Sequence, residues 1–172
     1  KANPVPVVIP IGASETFRGV VDLLKMKAII FDEESNGMAF HEEDIPADLV
    51  DTANEWRQNL VEKVAETDDT LLEKFFAGEE ITVAEMIPAI RKATIARNIV
   101  PVLCGTAFRN KGVQPLLDAI VDYLPSPLDI SDVVGSITDE QKEACVVAPF
   151  RKADDDEPFS ALAFKIVADK HM

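Results

Sequence analysis

Apolar and polar positions follow one another along this chain with a period that changes several times. β-Branched residues crowd residues 6–11, bounded by prolines and Gly12, which is the pattern of a buried strand. Residues 27–31 and 38–41, separated by an acidic stretch and Asn36-Gly37, read as a hairpin in which Asn-Gly supplies the positive φ angles. From about 47 to 66, Leu49, Ala53, Trp56, Leu60 and Val64 recur at steps of four, three, four and four, one apolar stripe of a helix. Asp48, Asp51, Glu55, Glu62 and Glu66 fall on the opposite side. A shorter helix is predicted over 70–76, ending at Gly78, and Thr82 with Glu85 makes a capping box for a helix reaching toward Arg97. Pro88 lies past the first turn of that helix and predicts a kink or a late effective start.

The apolar run 99–104 reads as a second buried strand, closed by Gly105 and a small hydroxyl residue, Thr106. Leu116, Leu117, Ile120, Val121 and Leu124 then give the stripe of a following helix, which Pro125-Ser126-Pro127 ends. Strand, loop and helix make one α/β repeat. In open α/β sheets ligands sit where loops leave the carboxyl ends of strands, so Gly105-Thr106-Ala107-Phe108 occupies the place of a ligand-binding loop. Residues 128–157 are mixed and end in Asp154-Asp155-Asp156-Glu157, the composition of a linker, and 159–168 alternates as the first strand of an all-β domain.

Composition adds limits. With 172 residues, 47% hydrophobic and 28% charged, the chain has material for a globular core, in one domain or pieces of two. Thirty-one acidic against 17 basic residues give a net charge of −14, which repels phosphate backbones and anionic lipid. No direct nucleic-acid binding is expected, and the expected partners are basic protein surfaces or none at all. Cys104 and Cys145 stand far apart with no clustered histidines, so neither a zinc site nor a disulfide framework is expected, and the plain reading is a reduced cytoplasmic protein. No apolar run approaches the ~20 residues needed to cross a membrane. Lys1 opens without a signal pattern and Met172 stands inside a strand-like pattern, so both ends read as cut from a longer polypeptide.

Longer words then point to a family. Ile99-Val100-Pro101-Val102-Leu103-Cys104-Gly105-Thr106-Ala107-Phe108, Asn110-Lys111-Gly112-Val113-Gln114 and Asp122-Tyr123-Leu124-Pro125-Ser126-Pro127 closely resemble the end of the GTPase domain of bacterial elongation factor G. Ala2-Asn3-Pro4-Val5-Pro6, Gly19-Val20-Val21-Asp22-Leu23 and Glu157-Pro158-Phe159-Ser160-Ala161-Leu162-Ala163-Phe164-Lys165 look like the same family, so the resemblance spans nearly the whole chain. It implies an α/β fold: a partial P-loop GTPase domain with an inserted α+β subdomain, followed by the first strand of a β-barrel domain. The implied division is 1–10, a strand of the GTPase sheet; 11–98, the insertion; 99–127, the last strand, guanine loop and helix; 128–157, a linker; and 158–172, the start of the barrel.

The resemblance makes Thr106, Ala107 and Phe108 the fifth guanine-nucleotide motif, usually Ser-Ala followed by a variable residue. The implied contact is the Ala107 N–H donating to the guanine carbonyl oxygen, with the hydroxyl of Thr106 bracing the loop. It also implies a parent that binds GTP with Mg2+ and hydrolyses it to drive movement of tRNA and mRNA through the ribosome. The insertion of that family contacts the ribosomal stalk protein, which makes the acidic face of Asp51, Glu55 and Glu62 the candidate partner surface. The parent would be an enzyme, a GTP hydrolase, whereas this segment is expected to be inactive and to bind neither GTP nor Mg2+ by itself.

The chemistry missing from the chain fits that division. None of the seven glycines opens a Gly-x-x-x-x-Gly-Lys-Ser/Thr phosphate loop, so no catalytic residue is assigned and phosphate handling is expected upstream. Asp132-Val133-Val134-Gly135 matches Asp-x-x-Gly but stands in the linker, in the wrong order. Asn110-Lys111 starts like Asn-Lys-x-Asp, yet the fourth place is Val113, which cannot accept the guanine ring hydrogens. His41 and His171 have no nucleophile pattern near them, and the acidic runs lack calcium-loop spacing, so no metal site is assigned. Two other readings stay open. One is a protein-interaction module without a nucleotide role, and the other is a related GTPase for ribosome recycling, release or protection.

Overall fold

A computed structural model of the chain describes residues 2–129, 133–134, 150–159 and 165. They divide into two compact units, Lys1–Leu124 and Pro125–Met172.

The first unit starts with β1 (Pro4–Pro6), β2 (Val8–Ile11), β3 (Gly19–Asp22), β4 (Lys27–Phe31) and β5 (Phe40–Glu43). The helices α1 (Val50–Ala65), α2 (Asp69–Ala77) and α3 (Val83–Ile95) follow, then β6 (Val100–Val102) and α4 (Val113–Tyr123). β1 and β6 pair in parallel, with Val5 opposite Pro101, while β2, β3, β4 and β5 form an antiparallel sheet in that order. The architecture is mixed α/β, with one parallel and one antiparallel ladder in this unit.

The run 6–11 is not one strand of one sheet. Val7 belongs to both ladders: its N–H donates to the Val102 carbonyl at 3.0 Å and its carbonyl accepts from the Leu23 N–H at 3.1 Å. The chain changes sheet at that residue, and β2 becomes the edge of the antiparallel sheet, where the missing donor of Pro10 is tolerated. Alternation along these strands fills two cores. Ile9, Ile11, Val21 and Ala28 face the helices, together with Leu60, Val64, Met86 and Ile90. Val8, Val20, Ile29 and Phe31 face the other way, against Phe17, Leu103 and Cys104. The hairpin forms as read, with Asn36 at φ 53° and Gly37 at φ 73°, but its second strand is displaced two residues to Phe40–Glu43 and is exposed throughout.

The helices follow their signals with one change of phase. The buried positions of α1 are Ala53, Leu60, Val64 and Ala65. Trp56, placed in the stripe by spacing, is 39% exposed and lies outside the core, while Arg57 next to it turns inward. The Arg57 guanidinium donates to the carbonyls of Leu23 (2.8 Å), Leu24 (3.1 Å) and Ile81 (3.4 Å), which the sheet and loops leave open. Asp68 caps α2 by accepting from the Thr70 N–H at 3.1 Å, and Gly78 ends it. At α3 the Glu85 carboxylate accepts from the N–H and the hydroxyl of Thr82 at 2.9 and 2.8 Å. α3 runs through Pro88 without a break in its assignment, so it does not start late; Pro88 and Ala84, whose carbonyl the proline leaves free, both face solvent.

In the second unit, β7 (Val133–Val134) pairs antiparallel with β8 (Phe150–Arg151), so part of the stretch read as linker is strand. The acidic run turns back on itself, the Glu157 N–H donating to the Asp154 carbonyl at 3.2 Å. The strand expected over 159–168 lies outside the described residues except for 159 and 165, and Asp132, Gly135, Cys145 and His171 lie outside them entirely. Among the described residues no helix is long and apolar enough to cross a membrane.

Candidate functional site

β6 delivers the chain into an eight-residue loop, 105–112, at the carboxyl end of a parallel strand, and α4 starts directly after it. Inside the loop a 3-10 turn, Ala107–Arg109, follows Thr106. Its two ends are joined by a bridge between Thr106 and Lys111, with the Thr106 N–H donating to the Lys111 carbonyl at 2.8 Å and the Lys111 N–H donating back at 3.2 Å. The Arg109 N–H also reaches the Thr106 carbonyl at 3.1 Å. Gly105 and Gly112 let the two ends touch. A Cβ on Gly105 would stand 2.7 Å from the Lys111 carbonyl oxygen, and one on Gly112, which has φ 90°, would stand 3.0 Å from that of Cys104.

The sequence-predicted residues Thr106, Ala107 and Phe108 are thus held together at the tip. The N–H groups of Ala107 and Phe108 have no acceptor among the described residues, and both side chains are exposed. Thr106 holds the loop through its backbone, its N–H and carbonyl both tied to Lys111, and its hydroxyl makes no capping bond. Cys104, half-buried beneath the loop, has its thiol pKa raised by burial, which disfavours the nucleophilic thiolate.

Lys111 is the second residue of an incomplete Asn-Lys-x-Asp match. It is buried at 3% exposure, and its ammonium donates to the Phe17 carbonyl at 3.3 Å and to Glu33 Oε1 at 2.9 Å. Lys111, foremost through that hydrogen bond, holds the Glu33 carboxyl below its usual range. Gln114 Nε2 donates to the carbonyls of Gly37 and Met38 at 3.1 and 3.2 Å. None of these pairings carries a sequence signal, since the partners lie 76 to 94 positions apart.

Asp51, Glu55 and Glu62 are all exposed on α1. A shallow groove of about 330 Å³ is lined by Glu55, Trp56, Gln58, Asn59 and Glu62. His41 stands on exposed β5 beside Glu43, 3.6 Å away, consistent with a strand-edge residue.

No model of a known protein family matches the chain. The chain is similar to solved structures. A crystal structure of a protein from Thermus thermophilus matches with a TM-score of 0.64 and 28% identity, over 76% of this chain and 20% of that one. The chain therefore spans about a fifth of the length of the protein it matches. The likeness agrees with the mixed α/β arrangement and places the chain beside a much larger structure.

Proposed function

We propose that this chain is part of an elongation factor G-like translational GTPase and that residues 106–108 form its guanine-contacting loop. The observation that carries the reading is the loop itself. It sits at the carboxyl end of a parallel strand, closed by two glycines at close approach, with the Ala107 N–H directed at no other group of the described residues. A backbone donor so presented suits the carbonyl oxygen of guanine, which adenine lacks. Two further features support a place in a larger domain: a parallel ladder of two strands among the described residues, and exposed Leu116, Leu117, Ile120 and Val121 on α4.

In this proposal the parent binds GTP with Mg2+, its phosphate loop and metal ligands lie outside this chain, and GTP hydrolysis drives ribosomal translocation in the cytoplasm. Ala107 supplies one hydrogen bond to the base, and no residue here acts on the phosphates. A related GTPase of ribosome recycling, release or protection would use the same loop in the same way. Ala107→Leu in the full-length parent is the test. A bulky side chain beside the N–H obstructs the base, and loss of one such bond weakens GDP binding by ~0.5–1.5 kcal/mol, more if the partner is left buried and unpaired. Normal GDP affinity in that variant would remove the guanine assignment.

The exposed acidic face favours a second role alongside the first. Asp51, Glu55 and Glu62, with Trp56 lining a groove together with the two glutamates, present charge beside one large aromatic ring, a surface suited to a basic partner. We assign it to the ribosomal stalk protein.

A further inference from the structure

We propose that the connection between β4 and β5 is a brace that positions the base-contacting loop, with Glu33, Gly37, Lys111 and Gln114 as its positioning residues. The inference rests on reading 106–108 as that loop. The internal bonds of the loop close it into a ring, but they leave open how the ring is tilted against the sheet. Three contacts fix that tilt.

The first is Lys111. An ammonium group at 3% exposure is tolerated only where its protons are taken up, and the Phe17 carbonyl and the Glu33 carboxylate take them at 3.3 and 2.9 Å. The backbone of Lys111 is the ladder partner of Thr106, so wherever Phe17 and Glu33 hold Lys111, Thr106 and the Ala107 N–H must follow. The second is Gly37, whose backbone lies against the far side of the loop. A Cβ there would stand 2.5 Å from the Arg109 carbonyl oxygen and 2.9 Å from the Asn110 carbonyl carbon, at a φ of 73° that a side chain resists. The third is Gln114 in the first turn of α4, which spans the carbonyls of Gly37 and Met38. The hairpin connection is itself stiff: the Gly37 N–H returns to the Asp32 carbonyl at 2.9 Å, and the Ser35 hydroxyl accepts from the Ala39 N–H at 2.9 Å. A donor that must meet a base within hydrogen-bond tolerance needs such support around it.

The experiment uses the full-length parent and two probes: GDP, and the diphosphate of 2-aminopurine riboside, which lacks the 6-oxo group. The variants are Glu33→Gln, Lys111→Met, the two combined, Gln114→Leu and, as a measure of the loop itself, Ala107→Leu. The preference for GDP over the analogue reads the base contact, and thermal melting reads the fold. We expect Lys111→Met and Gln114→Leu to lower the preference about two- to tenfold, the range one hydrogen bond spans. Glu33→Gln should lower it less, and the double variant should be no worse than Lys111→Met alone. Melting temperatures that fall while the preference stays at the wild-type ratio would overturn the brace. Should Lys111→Met fail to fold, Glu33→Gln and Gln114→Leu decide by the same ratio. If the wild type shows no preference, or Ala107→Leu leaves it unchanged, the loop assignment fails and the brace with it. If Ala107→Leu lowers the preference while Gln114→Leu and the Lys111 and Glu33 variants do not, the brace alone fails.

Discussion

The rotation of α1 about its axis can be tested with two substitutions one turn apart. Leu60 is 1% exposed and packs in the larger core, whereas Trp56 is 39% exposed and lies outside that core. Leu60→Ala removes three carbons, about 2–3 kcal/mol of transfer free energy, and leaves a cavity, for a total of about 2–5 kcal/mol. Trp56→Ala removes a larger side chain but opens no cavity, so its cost should stay under about 1 kcal/mol. For a unit of this size each kcal/mol moves the midpoint by roughly 3–5 °C, so Leu60→Ala should melt about 10 °C or more below the wild type and Trp56→Ala within a few degrees of it. Far-UV circular dichroism of the chain is the assay. Trp56 is also the sole tryptophan, so its emission offers an independent check. Its wavelength should change little on unfolding, and a soluble quencher should reach it in the folded protein. A Trp56→Ala loss equal to that of Leu60→Ala, or an emission maximum that shifts strongly to the red on unfolding, would refute the assigned phase.

Further outcomes follow from the same geometry. Calorimetry of the chain with GDP should show no micromolar binding, because one contact to the base cannot replace a phosphate loop and magnesium ligands. In the parent, charge reversal at Asp51, Glu55 and Glu62 should slow association with ribosomes and flatten its salt dependence in stopped-flow binding while leaving nucleotide affinity intact; an unchanged rate and slope would leave the face merely solvated. Acid should loosen the α2–α3 pair. Lys74, with help from Thr82, lowers the Glu85 carboxyl from 4.5 to about 2, and Lys92 lowers Asp68. A carboxyl depressed in the folded state stabilises above its unfolded pKa, and that contribution disappears as the pH falls from about 4.5 to about 2. Glu85→Gln should flatten the acid limb of the stability curve measured by urea unfolding.

Local patterns were the most legible part of the chain. The Asn36-Gly37 turn, the Gly78 helix end and the Thr82-Glu85 start each depend on a few adjacent residues, and each stands where its chemistry placed it. The change of sheet at Val7 was not legible, because a β-branched run looks the same whether it stays in one ladder or passes between two. Trp56 was misplaced for a related reason: spacing put it in the buried stripe, yet its neighbour Arg57 turns inward, where the guanidinium meets three carbonyls. Of the candidate loop, the tip was legible through its motif and the brace was not, since Lys111 and Glu33 meet only through the folded chain.

α4 shows how far periodicity can be trusted. Its apolar stripe is real, but Leu116, Leu117, Ile120, Val121 and Leu124 are exposed, and the residues that bury are Ala119 and Tyr123. Arg91 fixes this orientation by donating to the carbonyls of Val121, Asp122 and Leu124 at 3.1, 3.3 and 2.8 Å, which ties the end of α4 to α3. Spacing thus identified an apolar face correctly and said nothing about what covers it. Val100 and Val102 on β6 are exposed as well, so the strand and the helix that flank the candidate loop each carry uncovered apolar residues. Apolar residues gathered in this way ask for a covering layer, whereas Asp51, Glu55 and Glu62 are satisfied by water alone. The apolar residues therefore argue for membership in a larger α/β domain, and the acidic face carries functional weight only if a partner is shown to respond to its charge.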